Sequence, residues 1–306
     1  MPSTAGGVAY TTTTIDLGSP HGVMHVTVAD ARRNDANIPT ILYVHGAGGA
    51  SDQFVTLPAW NGLRDWALGA GWAFVEGIGG AAVGGQNWGN RAAQAAYPAY
   101  LARARTTISV GQVVLLGRSM GGFITSWLYK NDTTGQFAGW INNSGVSTSF
   151  VGTRSGAKDV SNASGYYFSP TIFNSWGVSN LADLETAMRA GGMIPEEWDA
   201  NVWMGKKILC CYGDKDTAVP WSTRGAGPMR TIWAGKPTID RAVLKPGGDH
   251  SGTSGSYLQV TDMVAFLLEV TGQTPPPTPT PVLYVTGKSF LLDANRRRFE
   301  LAAEVI

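Results

Sequence analysis

Residues 117–121, G-R-S-M-G, have the spacing G-x-S-x-G, which can present a serine hydroxyl for nucleophilic attack. They follow an apolar run, V-V-L-L at 113–116, and precede a helical pattern. A serine on so sharp a strand-to-helix turn needs flanking residues without side chains, because only then does the hydroxyl clear the sheet at a helix N-terminus. The alternative is an ordinary glycine-rich turn, in a chain with 40 glycines. The flanking elements favour Ser119 as a nucleophile.

A serine hydroxyl is a weak nucleophile near neutral pH, so a base must lie beside it. The chain has four histidines, at His21, His25, His45 and His250. His250 alone lies both downstream of the serine and in a predicted loop that follows a late strand, G-G-D-H-S-G at 247–252. The alternative is a surface loop histidine. We expect His250 to be the base.

The base needs an acid that holds its tautomer and stabilises the imidazolium. The segment G-D-K-D-T-A-V-P at 213–220 follows a predicted strand and contains two candidates, Asp214 and Asp216. One of the two is expected to be a solvated turn residue. With either aspartate, the chain order is serine, then acid, then histidine.

A negatively charged oxygen that develops during acyl transfer needs preorganised backbone donors. The N–H group of Met120, at the start of the predicted helix, is one candidate. A second glycine-rich turn, H-G-A-G-G at 45–49, follows another buried strand, and Ala47 is its most suitable donor. The alternative for that segment is a plain tight turn.

Short apolar runs that alternate with helical spacing predict a mostly parallel α/β sheet flanked by helices. We expect strands at 23–28, 40–44, 72–76, 113–116, 137–142, 207–212 and 241–244. Helices are expected at 51–69 with a break at Pro58, and at 91–107, 121–130, 181–190 and 256–270. Residues 1–14 are interpreted as an extended leader, and the strand at 23–28 as lying on one edge of the sheet.

The order of elements also predicts how the chain is organised. Residues 1–273 are expected to form a catalytic domain with a lid-like insertion at about 147–205, where the alternation breaks. Residues 274–281, T-P-P-P-T-P-T-P, are typical of a stiff polyproline linker. The remaining segment, 282–306, is too short to hold a core of its own and is interpreted as a docking tail.

Composition excludes several classes of protein. The chain has 306 residues, 15% of them charged, and a net charge of +1, which argues against a basic nucleic-acid binder. No apolar run is long enough for a membrane span, and residues 1–7 lack the features of a signal peptide. The adjacent Cys210 and Cys211 are expected to be reduced, buried thiols. No metal-ligand spacing or P-loop is present, so we expect no metal and no cofactor.

Together, H-G-A-G-G, G-R-S-M-G, G-D-K-D-T-A-V-P and G-G-D-H-S-G resemble the α/β-hydrolase family, on its serine-esterase side. The match covers about residues 40–272. It implies a Ser119–Asp216–His250 triad, since the acid of that family usually stands three residues after the glycine and before V-P; we therefore prefer Asp216 to Asp214. It also implies an oxyanion hole at Met120 and Ala47. Residues 79–90, ending in Q-N-W-G-N, more loosely resemble uncharacterised hydrolases of actinobacteria and their phages.

Aromatic residues in loops and in the insertion suggest how substrate could bind. The chain has 11 tryptophans, and we expect Trp88, Tyr167 and Trp176 to contact an extended or bulky substrate. Core filling is the alternative for each of them. The expected reaction is hydrolysis of a carboxylic ester through an acyl-enzyme, on a glycan or a cell-envelope component such as a polysaccharide or lipid.

A different function remains open, namely a hydrolase scaffold that has lost its chemistry and serves in binding or assembly, such as a phage virion protein. In either case we expect the 282–306 tail to dock on a larger assembly or on copies of itself. The expected location is cytoplasmic by default, or on the virion if the chain is phage-encoded.

Overall fold

The computed structural model describes residues 2–80, 85–148, 170–250 and 258–273, together with three short strands nearer the C-terminus. The chain divides into two compact units, Met1–Thr271 and Gly272–Ile306. Each unit is described by itself.

The first unit is built on a sheet of eight strands. They are β1 (Tyr10–Asp16), β2 (Val23–Ala29), β3 (Ile38–Val44), β4 (Ala73–Gly77), β5 (Val110–Arg118), β6 (Phe137–Asn143), β7 (Lys207–Gly213) and β8 (Ile239–Lys245). Their order across the sheet is β1-β2-β4-β3-β5-β6-β7-β8. The pairs β1–β2 and β2–β4 are antiparallel, and all the others are parallel. The expected mostly parallel sheet with flanking helices is confirmed.

Helices connect and flank the strands. Those that the structure describes are α1 (Gln53–Thr56), α2 (Asn61–Gly69), α3 (Arg91–Arg105), α4 (Met120–Lys130), α5 (Pro170–Trp176), α6 (Leu181–Ala190), α7 (Gly227–Ile232) and α8 (Val260–Thr271). The helix expected at 51–69 is broken by a 3-10 turn at Pro58–Trp60, as the position of the proline predicts. No described helix is long and apolar enough to cross a membrane.

The two faces of the sheet bury separate apolar clusters, because successive side chains along a strand point to opposite faces. One row of paired residues runs across five strands on the first face: Val75, Leu42, Leu115, Trp140 and Ile208. The next row, on the other face, contains Tyr43, Leu116, Ile141 and Leu209. Cys210 and Cys211 follow the same alternation, and both are buried free thiols. Burial raises the pKa of both thiols, so they contribute to packing as neutral side chains.

The prediction that residues 23–28 form an edge strand is wrong. β1 pairs with the outer side of β2 along seven residues and forms the edge instead, within the segment interpreted as a leader. Its sequence, Y-T-T-T-T-I-D, lacks apolar alternation because an edge strand is only partly buried. The threonines nevertheless suit a strand, since a β-branched side chain packs well on a pleated surface.

The parallel strands place their carboxyl ends along one side of the sheet. The turn at 45–49 follows β3, Ser119 follows β5, Asp216 lies three residues after β7, and His250 lies five residues after β8. Ligands and reacting groups of open parallel sheets collect along this side. Segments distant in the sequence therefore come together there.

The second unit contains three short strands, β9 (Leu283–Thr286), β10 (Ser289–Leu292) and β11 (Arg297–Phe299), in the order β11-β10-β9. Both neighbouring pairs are antiparallel. The register puts Val285, Phe290 and Phe299 opposite one another in one row of the sheet. The docking role predicted for the 282–306 tail stays a prediction.

Glu76 ties α1 to the sheet. It lies in β4, is fully buried, and accepts the backbone N–H groups of Phe54 at 2.7 Å and Val55 at 3.2 Å. Desolvation raises its pKa to about 8, although these two N–H groups act in the opposite direction by favouring the carboxylate. A carboxyl with a raised folded-state pKa holds a proton that the unfolded chain releases.

This proton predicts a pH dependence of stability. Between the ordinary pKa of 4.5 and about 8, the folded state holds one proton more at Glu76, so the free energy of unfolding falls as pH rises. The slope is at most about 1.4 kcal/mol per pH unit. In urea unfolding measured between pH 5 and pH 8.5, the free energy of unfolding of Glu76→Gln is expected to fall less steeply with pH than that of the wild type. The comparison uses the two slopes, so it does not depend on the difference in stability at any one pH. Equal slopes for the two proteins would contradict this.

Candidate active site

Ser119 lies on a strained turn between β5 and α4. Its backbone has φ +50° and ψ −121°, a left-handed conformation that is rare for a residue with a side chain. The turn is held by Ser119 itself: its carbonyl accepts N–H groups from Gly122 at 3.0 Å and Val146 at 2.8 Å. The hydroxyl is thereby presented above the end of the sheet.

The two glycines of G-x-S-x-G are required by contact with neighbouring atoms. A Cβ on Gly121 would lie 2.1 Å from the carbonyl oxygen of Val44, and one on Gly117 would lie 2.2 Å from Oγ1 of Thr125. No real Cβ tolerates such distances to another residue's atoms. The spacing of the motif therefore reflects how closely α4 approaches β3.

The side chains of Ser119, His250 and Asp216 form a continuous chain of contacts. Nε2 of His250 lies 2.8 Å from Oγ of Ser119, and Nδ1 lies 2.7 Å from Oδ2 of Asp216. The imidazole side chain is 17% exposed and the carboxylate side chain 1% exposed. With the Nδ1–H donating to the carboxylate, Nε2 is left to accept the serine proton.

The structure gives the two candidate aspartates different partners. Besides His250, Asp216 binds backbone N–H groups through Oδ1, from Ala218 at 3.0 Å and Val219 at 2.8 Å. These donors fix the carboxylate, so its second oxygen stays directed at the imidazole. Asp214 instead accepts the N–H of Gly247 at 2.7 Å, in an exposed position. It helps to tie the two loops that carry Asp216 and His250.

Two backbone N–H groups lie close to the serine. Met120 is the first residue of α4, so its N–H has no acceptor within the helix. The turn that carries Ala47 passes directly beside the serine, since a Cβ on Gly46 would lie 3.1 Å from Cβ of Ser119. Within the described part of the chain, neither the Ala47 nor the Met120 N–H donates a hydrogen bond. Both can receive a substrate oxygen.

The His45 side chain contacts the backbone of this turn and that of the residue after β4. Its Nδ1 lies 2.7 Å from the carbonyl oxygen of Gly46, and its Nε2 lies 3.1 Å from that of Ile78. Complete burial lowers the pKa of the ring, which keeps it neutral. A neutral imidazole donates only one of these contacts as a hydrogen bond. His45 therefore contributes packing and one hydrogen bond to the backbone.

The three aromatic residues expected to bind substrate have different surroundings. Trp88 is 2% exposed and packs in an apolar cluster with Met120 and Phe123, which favours the core-filling alternative; its contact with substrate stays a prediction. Trp176, at the end of α5, is partly buried and donates its indole N–H to the Trp88 carbonyl at 3.1 Å. Tyr167 lies outside the described residues. The sequence does not distinguish a buried loop tryptophan from an exposed one, since both follow turn residues.

The described part of the chain contains no group of three or more histidine, cysteine, aspartate or glutamate side chains that could hold a metal ion. The site is instead a chain of one hydroxyl, one imidazole and one carboxylate beside two backbone donors. Such an arrangement can activate a hydroxyl and stabilise an oxyanion.

Comparison with known proteins yields matches at the level of structure alone. No protein-family model matches the sequence, and no curated protein matches it. Among similar solved structures is a truncated carbohydrate esterase from gut microbiota, 14% identical, with a TM-score of 0.59 over 89% of this chain and 100% of that one. The chain has the α/β-hydrolase fold. At this level of identity the similarity extends to the fold and no further.

Two other α/β-hydrolase structures show how the match varies. A puromycin-hydrolyzing peptidase of Mycobacterium tuberculosis is 17% identical, with a TM-score of 0.61 over 90% of this chain. The present chain spans only 41% of that peptidase. A 2,6-dihydroxy-pseudo-oxynicotine hydrolase is 15% identical, with a TM-score of 0.57, and 71% of its length is covered. Proteins whose names describe different substrates thus share this α/β-hydrolase core.

Proposed function

We propose that the chain is a serine hydrolase that cleaves carboxylic esters. The observation that supports this most directly is the run of contacts from Ser119 through His250 to the buried carboxylate of Asp216, at 2.8 Å and 2.7 Å. Ser119 combines this imidazole contact with a backbone conformation at φ +50°, and a buried carboxylate lies on the other side of the imidazole.

In the proposed reaction, the Ser119 oxygen attacks the ester carbonyl carbon while Nε2 of His250 takes the hydroxyl proton. The tetrahedral intermediate then expels the alcohol, which receives that proton from His250, and an acyl-serine remains. A water molecule gives a proton to His250 and attacks the acyl carbon. The second tetrahedral intermediate then releases the acid, and His250 returns the proton to the Ser119 oxygen. The carboxylate of Asp216 stabilises the imidazolium through its contact with Nδ1.

The N–H groups of Met120 and Ala47 are proposed to bind the oxyanion. Such donors act most strongly on charge that appears only in the transition state, and loss of one donor typically costs about 10²–10³ in kcat. The helix N-terminus at Met120 adds its partial positive charge at the same point. The donors are backbone groups, so substitution of either side chain leaves them in place.

We propose an ester, rather than an amide, because an alkoxide leaves with less assistance than an amine. The proposed substrate class is an ester on a glycan or on another component of a cell envelope. A structure described as a truncated form of a carbohydrate esterase is among those that share this fold, and its description supports this class.

Labelling with a fluorophosphonate probe tests the nucleophile. We expect the probe to modify Ser119, as located by peptide mass spectrometry, and to abolish hydrolysis of p-nitrophenyl acetate. A panel of p-nitrophenyl esters of increasing chain length, an acetylated xylan and a matching anilide then tests the substrate class. An enzyme that remains unlabelled and hydrolyses none of these would instead favour the scaffold alternative, with a role in binding or assembly.

A further inference from the structure

The turn formed by residues 86–90, Q-N-W-G-N, is strained and buried. Trp88 has φ +44° although it carries a large side chain, and the next residue, Gly89, has φ +69°. Two consecutive left-handed residues, one of them a tryptophan, persist only where the surrounding structure holds them. Gly89 is also confined, since a Cβ there would lie 2.3 Å from Cε of Met193. The contacts of the turn explain why this conformation is kept. We call residues 86–90 the QNWGN turn.

On one side, the QNWGN turn contacts the residue after the nucleophile. The backbone N–H of Trp88 donates to the thioether sulfur of Met120 at 3.4 Å. The Met120 side chain is fully buried in the same apolar cluster as the Trp88 ring. Since the Met120 backbone N–H is a proposed oxyanion donor, the QNWGN turn contacts a residue whose backbone must be accurately placed.

On the other side, the QNWGN turn holds α5. The Trp88 carbonyl accepts the indole N–H of Trp176 at 3.1 Å, and Nδ2 of Asn90 donates to the carbonyl of Ser175 at 2.6 Å. Oδ1 of Asn90 at the same time caps α3 through the N–H of Ala93 at 2.9 Å. The N–H of Trp88 thus binds next to the nucleophile, while its C=O binds the end of α5.

We infer that Trp88 is a positioning residue, through which the docking of α5 fixes the placement of Met120 beside Ser119. This inference rests on the proposed function and assigns Trp88 and Trp176 a role other than direct substrate contact. When the indole N–H at 176 is removed, the Trp88 carbonyl loses one of the hydrogen bonds that hold the strained backbone of Trp88 in place. The Met120 side chain then loses a fixed donor, and the oxyanion donor is less well placed.

Trp176→Phe tests the link, because it removes the N–H donor and keeps an aromatic ring. We expect kcat on p-nitrophenyl acetate to fall about fivefold, with KM changed by less than about twofold. Trp198→Phe is the matched control, since Trp198 also donates its indole N–H to a carbonyl, that of Gly192 at 2.9 Å, but makes no bond to the turn. Equal kinetics of the two variants would overturn the inference.

A double-mutant cycle separates positioning from general loosening. Met120→Leu removes the sulfur acceptor but keeps the side-chain volume and the backbone N–H. If both substitutions act through the backbone of Trp88, the fold reduction of kcat in the double variant is smaller than the product of the fold reductions in the two single variants. If the two fold reductions simply multiply, the Trp176 and Met120 contacts of Trp88 act independently, and the inference is overturned.

Hydrogen–deuterium exchange gives a readout that does not need activity. In Trp176→Phe, we expect faster exchange in peptides that cover residues 119–124, and no such change in Trp198→Phe. If the wild type hydrolyses no ester, the proposed function fails, while the exchange data still decide the link. Unchanged exchange at 119–124 in Trp176→Phe would refute it.

Discussion

Ser119→Ala is expected to lower kcat for p-nitrophenyl acetate by about 10⁴-fold or more, because no other group at this position can form the acyl-enzyme. KM and the melting temperature are expected to change little. The hydroxyl is small, and alanine relieves none of the strain that the φ of +50° imposes on a residue with a Cβ. The measurement is initial-rate kinetics on purified protein, with circular dichroism to verify folding.

Ser126→Ala is the control for this experiment. Ser126 lies in α4, which begins immediately after Ser119. It is 1% exposed, against 8% for Ser119, and donates its hydroxyl to the Phe123 carbonyl at 2.7 Å. Loss of that local bond affects stability by about 1 kcal/mol and is expected to leave kcat unchanged. A residual rate in Ser119→Ala equal to that of Ser126→Ala would eliminate the proposed nucleophile.

Asp216→Asn is expected to reduce kcat by about 10⁴-fold. The amide keeps the shape of the carboxyl group, and its oxygen can still accept from Ala218 and Val219, which leaves the NH₂ facing His250. An NH₂ group facing Nδ1 favours the tautomer with the proton on Nε2, and that nitrogen then no longer accepts the serine proton. Rates measured from pH 6 to pH 9 are expected to stay low throughout.

Asp214→Asn is the matched change on the other aspartate of the same loop. Among the described residues, its carboxylate binds the Gly247 N–H alone, and an amide oxygen can accept that bond equally well. We expect less than about a threefold change in kcat, within the range of surface substitutions. A larger loss at Asp214 than at Asp216 would reverse the assignment of the acid.

Most of the sheet could be predicted from apolar runs, since a strand buried on both faces consists almost entirely of apolar residues. The strands that were predicted from such runs, at 113–116 and 207–212 for example, lie within β5 and β7. β1 was missed because four threonines bury little surface, and α7 because six residues are too few to show a helical period. Most strand boundaries shifted by one to three residues from those predicted, for example by one residue at Asn143 and by three at Val110.

Within the candidate site, some residues could be predicted from local spacing, whereas others depended on tertiary contacts. The G-x-S-x-G spacing can be recognised from five consecutive positions, although the contacts that require its glycines involve Val44 and Thr125 outside the motif. The acid partner of His250 cannot be chosen from local sequence alone, since Asp214 and Asp216 are two residues apart and both follow the same strand. Only the packing of the loop after β8 against the loop after β7 brings one carboxylate to 2.7 Å from Nδ1.

The sequence by itself determined the mostly parallel α/β class, the position of the proposed nucleophile and the order of the residues that could act with it. These features follow from burial patterns and steric limits over a few neighbouring residues. The tertiary structure decided which aspartate faces the imidazole, that the Trp88 ring is buried, and that α5 is bonded to the turn beside Met120. Those outcomes depend on contacts between residues 32 to 131 positions apart in the sequence, and such contacts leave no periodic pattern in the chain.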